Sequence, residues 1–380
     1  MNKITSPISI LEIGSTQISL AIYDKFISNQ SLFYQDKLDY IDSENQNIEE
    51  IIFNLIKRAE KDIDQHLNEI SLMIDSASIY SLDISMQKNY DKKIVSNKDM
   101  DHLIKECEQI IKTNNKEKDI LHIIKTNIVF DDKTVDNIEN ISQEVYKAII
   151  EIKFILVDKK VSEDFKKFLL KKHIFLINIF CTSYIKSLGL IKQLGISGYS
   201  SFIDIGLKKS SLSIFKDEKL IYLNNTHISG EHLTKDISKV LKIDYKKAEA
   251  QKLEFSKKNK RDIELNDKTL LKKIINSRLE EIVELLFLNC PLIKNNFFNS
   301  ELKLFFIGNG SKVLNDNLLT FGQEFNFINE MSIIDEKNIN ICDSAFKFNS
   351  ENEKIQPQET ALILENKGFF EKLFEYFTKK

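Results

Sequence analysis

The chain has 380 residues and a formal net charge of −3, with both signs interspersed, so no strong electrostatic field invites nucleic acid. Its 42% hydrophobic and 29% charged residues supply material for real cores, and the length predicts about two domains. Four scattered cysteines (Cys107, Cys181, Cys290, Cys342) with no CxxC pair point to reduced thiols in a cytoplasm, away from disulfide frames and zinc sites. We expect no signal peptide, since no basic region precedes an apolar run at the N-terminus, and no apolar run is long enough to span a bilayer.

In chain order, Ile8–Tyr23 is predicted as a β-hairpin, with an acid, Glu12, on its first strand and Gly14-Ser15-Thr16 at the turn. Apolar residues at helical spacing predict a helix over Ile48–Asn68, followed by a short strand over Ile70–Asp75. The character then changes. Ser96-Asn97-Lys98-Asp99 reads as a helix start, with Leu103, Ile104, Cys107, Ile110 and Ile111 on one face. Ile120–Val129 and Ala148–Val157 read as strands, so residues 84–159 form a small inserted α/β module. A helix over Ser162–Lys172, a strand over Phe175–Phe180 and a helix over Ile185–Leu194, ended by Gly195, come next.

A second hairpin begins at Ser200 and repeats the first: Phe202-Ile203-Asp204-Ile205-Gly206 runs into Ser210-Ser211-Leu212-Ser213-Ile214-Phe215. Helices are predicted over Thr234–Leu241, Tyr245–Phe255 and Leu270–Leu288. The strand Leu302–Ile307 ends in a third glycine turn, Gly308-Asn309-Gly310-Ser311. Asn349–Gln358, polar and containing Pro357, reads as a loop, and Thr360–Glu365 as a helix start before the final Gly368–Lys380.

Only 10 glycines occur in the chain, so their placement in these turns is informative. A tight hairpin with Gly at its tip lets backbone N–H groups approach a phosphate with no Cβ in the way. Ser15, Thr16 and Ser210 add hydroxyl donors. An acid at the strand end, here Glu12 and Asp204, holds Mg²⁺ through water, because Mg²⁺ keeps most of its hydration shell. The bland alternative is a pair of ordinary hairpins in which Gly14 and Gly206 serve turn geometry alone. Two such hairpins with a later glycine turn favour a nucleotide held between two related domains.

These motifs resemble those of the actin-like ATPase superfamily and, within it, the FtsA-like bacterial division proteins. The resemblance also takes in Ser229-Gly230, Thr234-Lys235-Asp236-Ile237-Ser238, Ala248-Glu249-Ala250-Gln251-Lys252, the helix containing Arg278 and Glu281, and Gln358-Glu359-Thr360-Ala361. It implies a two-domain actin-like (ribonuclease-H-like) α/β fold with a small α/β subdomain inserted in the first domain. The implied order is first domain 1–83, insert 84–159, first domain again 160–196, second domain 197–227 with a helical lobe 228–299 and a final part 300–339, then a return and linker 340–367. It further implies that Gly14, Ser15, Thr16, Gly206, Lys208, Lys209 and Ser210 bind the phosphates of ATP. Gly230, Glu249, Lys252, Gly308, Asn309, Gly310 and Ser311 would bind the adenosine, and Glu12 and Asp204 the Mg²⁺. Without that family, Glu249 and Lys252 read as a surface ion pair one helical turn apart.

The sequence also departs from the family pattern. Glu12 stands where Asp is usual, Gln17 where Lys is usual, and Leu207-Lys208-Lys209 replace glycines and a threonine. Lys208 or Lys209 either supplies the phosphate charge that Gln17 lacks or is merely solvated. Hydrolysis needs metal, positioned water and charge stabilisation together, so weak or absent turnover is expected.

From Gly368 onward, Phe369, Phe370, Leu373, Phe374 and Phe377 share one helical face, opposite Glu371, Lys372, Glu375, Lys379 and Lys380. Such a helix (368–380) either lies in the headgroup region of a membrane or docks on its own domain. The resemblance implies a protein that polymerises on the cytoplasmic membrane face and tethers the tubulin-like FtsZ at the division site. Two rivals share the hairpins: a scaffold like the type IV pilus protein PilM, and a small-molecule kinase of the same superfamily. Dispersed histidines, with His227 and His232 the only close pair, and the short basic run Lys257–Arg261 give no competing motif.

Overall fold

A computed structural model describes residues 7–24, 32–40, 47–135, 144–256, 265–288, 290–294, 301–314, 328–336 and 339–355. The first hairpin is β1 (Pro7–Ile13) and β2 (Gln17–Asp24), extended by β3 (Leu32–Asp39). After α1 (Ile48–Ile63) come β4 (Glu69–Ile74), β5 (Tyr80–Ile94), α2 (Asn97–Asn114), β6 (Lys118–Phe130), β7 (Lys133–Thr134) and β8 (Glu144–Asp158). Then follow α3 (Lys159–Leu170), β9 (Phe175–Cys181) and α4 (Thr182–Leu194).

The second half repeats the plan with β10 (Tyr199–Ile205), β11 (Ser210–Lys216) and β12 (Lys219–Thr226). Helices α5 (Gly230–Leu241), α6 (Tyr245–Ser256), α7 (Leu265–Phe287) and the short α8 (Pro291–Lys294) precede β13 (Leu302–Ile307), β14 (Ile328–Ile333) and α9 (Ile341–Ile355).

Two five-stranded sheets have the same construction. One runs β3-β2-β1-β4-β9 and the other β12-β11-β10-β13-β14. In each, three antiparallel strands meet two parallel ones: β1 pairs parallel with β4 as β10 does with β13. The duplication read in the hairpins therefore extends to whole sheets. The insert is a separate antiparallel sheet, β5-β8-β6-β7, covered by α2. It begins at Tyr80, four residues before the position read from sequence. The start of α2 is the one predicted: Ser96 accepts the Asp99 N–H while the Asp99 carboxylate accepts the Ser96 N–H, a reciprocal cap that satisfies two terminal donors.

Packing follows from the residues. In α1, Ile52, Leu55, Ile56 and Ala59 recur on one buried stripe against the first sheet. Helix α4 is buried almost all round, and with α9 it fills the space between the two large sheets, against Phe180, Phe202, Phe215 and Phe305. The second sheet's other face packs on α5, α6 and α7 through Leu233, Ile237, Ala248, Leu279, Ile282 and Leu286.

One sequence expectation is corrected here. Asn349 through Ile355 is helix, not loop, because α9 starts at Ile341 and its Cys342 and Ala345 are seated in the central core, so the helix is held by packing despite a polar end. The predicted helix at Thr360, the motif Gln358–Ala361 and the terminal segment 368–380 lie outside the described residues.

Candidate functional site

The two hairpin turns are built alike. The Gly14 N–H donates to the Gln17 carbonyl at 2.9 Å, and the Gly206 N–H donates to the Lys209 carbonyl at 2.9 Å. They face each other across a cleft of about 850 Å³, lined by Glu12, Gly14, Ser15, Thr16, Gly206, Lys208, Lys209, Gly308 and Asn309 among others. The tips touch: the Leu207 N–H donates to Ser15 Oγ at 3.1 Å. Behind the first tip, Tyr40 donates its N–H to the Thr16 carbonyl at 2.9 Å and its hydroxyl to the Gly14 carbonyl. Behind the second, the start of α5 is tied down, with Gly230 N–H to the Gly206 carbonyl (2.9 Å) and Ser229 Oγ to the Leu207 carbonyl (2.6 Å).

The structure thus brings Glu12, Gly14, Ser15, Thr16, Asp204, Gly206, Lys208, Lys209, Gly308 and Asn309 to one cleft, whereas Ser210, Gly230, Glu249, Lys252, Gly310 and Ser311 do not line it. Ser210 is fully buried beneath its hairpin. Gly230 packs on the hairpin backbone, where a Cβ would meet the Gly206 carbonyl oxygen at 3.0 Å. Glu249 and Lys252 are not a solvated pair. Lys252 is buried and holds Glu249 Oε2 at 2.7 Å, Thr234 Oγ1 at 2.8 Å and the Gly230 carbonyl at 3.1 Å, clamping α6 onto the first turn of α5. Gly310 lies against Ile205, and Ser311 is buried with its hydroxyl donated to the Gly308 carbonyl at 2.7 Å.

Gly308 is a position only glycine fills. Its φ is +84°, and a Cβ would stand 2.2 Å from Asp204 Oδ1 and 2.7 Å from the Ile205 carbonyl oxygen. The third glycine turn therefore seats directly on the acid of the second hairpin.

Three residues of the cleft floor were not assigned from sequence. Lys186 on α4, with 6% of its side chain exposed, lies 2.7 Å from Asp204 Oδ2 and 2.7 Å from Glu336 Oε1. Burial works against its ammonium, but Asp204 and then Glu336 outweigh it and hold the pKa well above the ordinary lysine value. The other oxygen of Glu336 accepts the Gly308 N–H at 2.9 Å. Asp75, just past β4, pairs with Lys209 at 2.9 Å from the opposite side of the cleft. Lys209 is therefore not merely solvated: it is largely buried and closes an ion pair between the two halves. Lys186 did carry a signal, as the one charge in the apolar run Thr182–Leu190, where a buried lysine requires counter-ions. Glu336, in an irregular segment, had none.

Glu12 has a different environment. Burial pushes its carboxyl up to about 7, against the smaller opposing effects of Lys186 and a Ser19 hydrogen bond. Thr182 Oγ1, buried and on the cleft wall, has no hydrogen-bond partner among the described residues.

The chemistry of this donor set divides the two groups the fold implies. Glycine hairpins, an unpartnered hydroxyl and the cationic Lys37, Lys208 and Lys312 on the wall fit a polyphosphate. A divalent cation does not fit this floor: Asp204 and Glu336 share the Lys186 ammonium, and Asp75 pairs with Lys209. Among the described residues, no three His, Cys, Asp or Glu side chains converge on a common point.

This duplicated sheet plan with an interposed cleft defines an actin-like fold. Residues 201–315, under a third of the chain, match the family described as Cell division protein FtsA, a match that opens on the second hairpin and spans the helical lobe. A solved PilM–PilN type IV pilus biogenesis complex has a chain 15% identical to this one, with a TM-score of 0.59, covering 93% of this chain and 95% of that one. MreB5 of Spiroplasma citri bound to AMPPNP is 12% identical over 92% of this chain and 97% of its own, with a TM-score of 0.49. No curated protein matches the chain. The chain is thus similar to FtsA over residues 201–315, and its actin-like fold matches the pilus-complex chain over 93% of its length.

Proposed function

We propose that this chain is an FtsA-like actin-related protein that binds ATP between its two hairpins. It polymerises on the cytoplasmic face of the membrane and tethers the FtsZ ring at the division site. The observation that carries the nucleotide reading is the pair of matching glycine hairpins facing one cleft, with the third glycine turn seated on Asp204. The family match over residues 201–315 supports the division role. The apolar face Phe369, Phe370, Leu373, Phe374 and Phe377 supports peripheral membrane binding, and no described helix is long and apolar enough to cross a membrane. One short amphipathic helix binds reversibly, so polymerisation supplies avidity. Nucleotide then acts as a switch on polymer state, with weak or no turnover.

A second reading has its own support. The likeness to the chain from the PilM–PilN complex covers nearly all of both chains, which fits a scaffold of a membrane assembly machine. Vesicle co-sedimentation separates the two. On the first reading, wild-type protein pellets with anionic vesicles, more so with ATP, and brings FtsZ down with it, whereas Phe370→Asp/Phe374→Asp stays in solution. If the variant pellets as well as wild type and FtsZ does not follow, the pilus-type scaffold takes precedence.

A further inference from the structure

We propose that the cleft takes its nucleotide as the metal-free anion, with the Lys186 ammonium standing where a divalent cation would bridge acids and phosphates. The proposal rests on the nucleotide reading above and deepens it.

Mg²⁺ asks for octahedral oxygen ligands at about 2.1 Å and retains several waters, so an acid that serves it must present an oxygen toward that hydrated shell. Asp204 turns Oδ2 to Lys186 at 2.7 Å and packs Oδ1 against the α-carbon side of Gly308. Glu336 gives Oε1 to Lys186 at 2.7 Å and Oε2 to the Gly308 N–H at 2.9 Å. Asp75 is held by Lys209 at 2.9 Å. A hydrated ion at this floor would have to displace a buried ammonium and leave it without counter-ions, or sit beside it with like charges in contact; both are costly away from bulk water.

Lys186 is also equipped for the substitute role. An ammonium has three donors. Lys186 Nζ donates to Asp204 Oδ2 at 2.7 Å, forms an ion pair with Glu336 Oε1 at 2.7 Å and lines the cleft, so on this proposal a remaining donor serves a phosphate oxygen lodged there. Lysine binds phosphate as a point charge, which asks for no coordination geometry. Lys37, Lys208 and Lys312 line the same cleft and add positive charge around the anion.

The test is calorimetric titration of the full chain with ATP, once in excess Mg²⁺ and once in EDTA. The expected result is dissociation constants within about threefold of each other, a difference well under one power of ten. Binding that weakens about tenfold or more in EDTA overturns this inference and leaves the nucleotide reading intact. Binding in neither condition overturns both.

Two variants place the effect on the ammonium. Lys186→Arg keeps the cation, so its affinity is expected to stay indifferent to EDTA. Lys186→Met bares Asp204 and Glu336, so its residual affinity is expected to become Mg²⁺-dependent. A Lys186→Met protein that folds and still binds ATP equally in both conditions overturns the role of Lys186. If it does not fold, wild type and Lys186→Arg decide the matter alone.

Discussion

The two hairpins share a backbone and differ in how each treats its acid. In the first, Glu12 is buried with a Ser19 hydrogen bond and a carboxyl pushed to about 7; in the second, Asp204 is gripped by Lys186. The turn hydrogen bonds are the same length in both. Duplication thus preserved the main-chain cradle while the electrostatics diverged. A glycine turn and a strand ladder constrain every residue in them, whereas a buried acid needs only some means of neutralisation, proton or ammonium.

The sharpest way to break the comparison is to neutralise each acid in turn. Asp204→Asn leaves Lys186 buried with one carboxylate, and we expect a loss of about 3 kcal/mol in urea unfolding, toward the low end for a broken buried pair because Asp204 is partly exposed. Gly308→Ala is expected to cost about 2–3 kcal/mol, since φ is positive and the new methyl collides with Asp204 and the Ile205 carbonyl.

Glu12→Gln is expected to act in the opposite direction and with pH. A carboxyl whose folded pKa is raised from 4.5 to about 7 binds more protons folded than unfolded between those values, so its contribution to stability falls as pH rises from about 4.5 to 7. The variant should match wild type near pH 4.5 and exceed it at pH 8 by about 2 kcal/mol, less than the full shift allows because Gln does not reproduce the protonated acid. Unfolding midpoints that run parallel across that range would contradict the assigned environment. Smallest is Ser15→Ala, which removes the contact between the tips and should cost about 1 kcal/mol.

Much of the architecture was legible because strands and turns carry period and punctuation. Leu302–Ile307 is the strand read from sequence, and the α2 start at Ser96 is the predicted one. The third strands β3 and β12 were not assigned. β3 alternates exposed and half-buried residues and carries Gln35, Asp36, Lys37 and Asp39, so hydrophobicity gives it little contrast; its pairing with β2 determines it. Of the site, the glycine turns were legible and the counter-ions were not. Asp75, Lys186 and Glu336 come from three distant segments, and their pairings, Asp75 with Lys209 and Glu336 with Lys186, arise only in the folded chain. Gly230, Glu249 and Lys252 followed a family pattern, and here their contacts bind α5 to the second hairpin and to α6.

The central claim is that both hairpins close on one nucleotide. Hydrogen–deuterium exchange of the full chain with and without ATP tests it most directly. The account predicts slowed exchange in segments 13–17 and 205–210 together, with the same ATP dependence in both. Protection confined to one hairpin, or absent from both at saturating ATP, would contradict it.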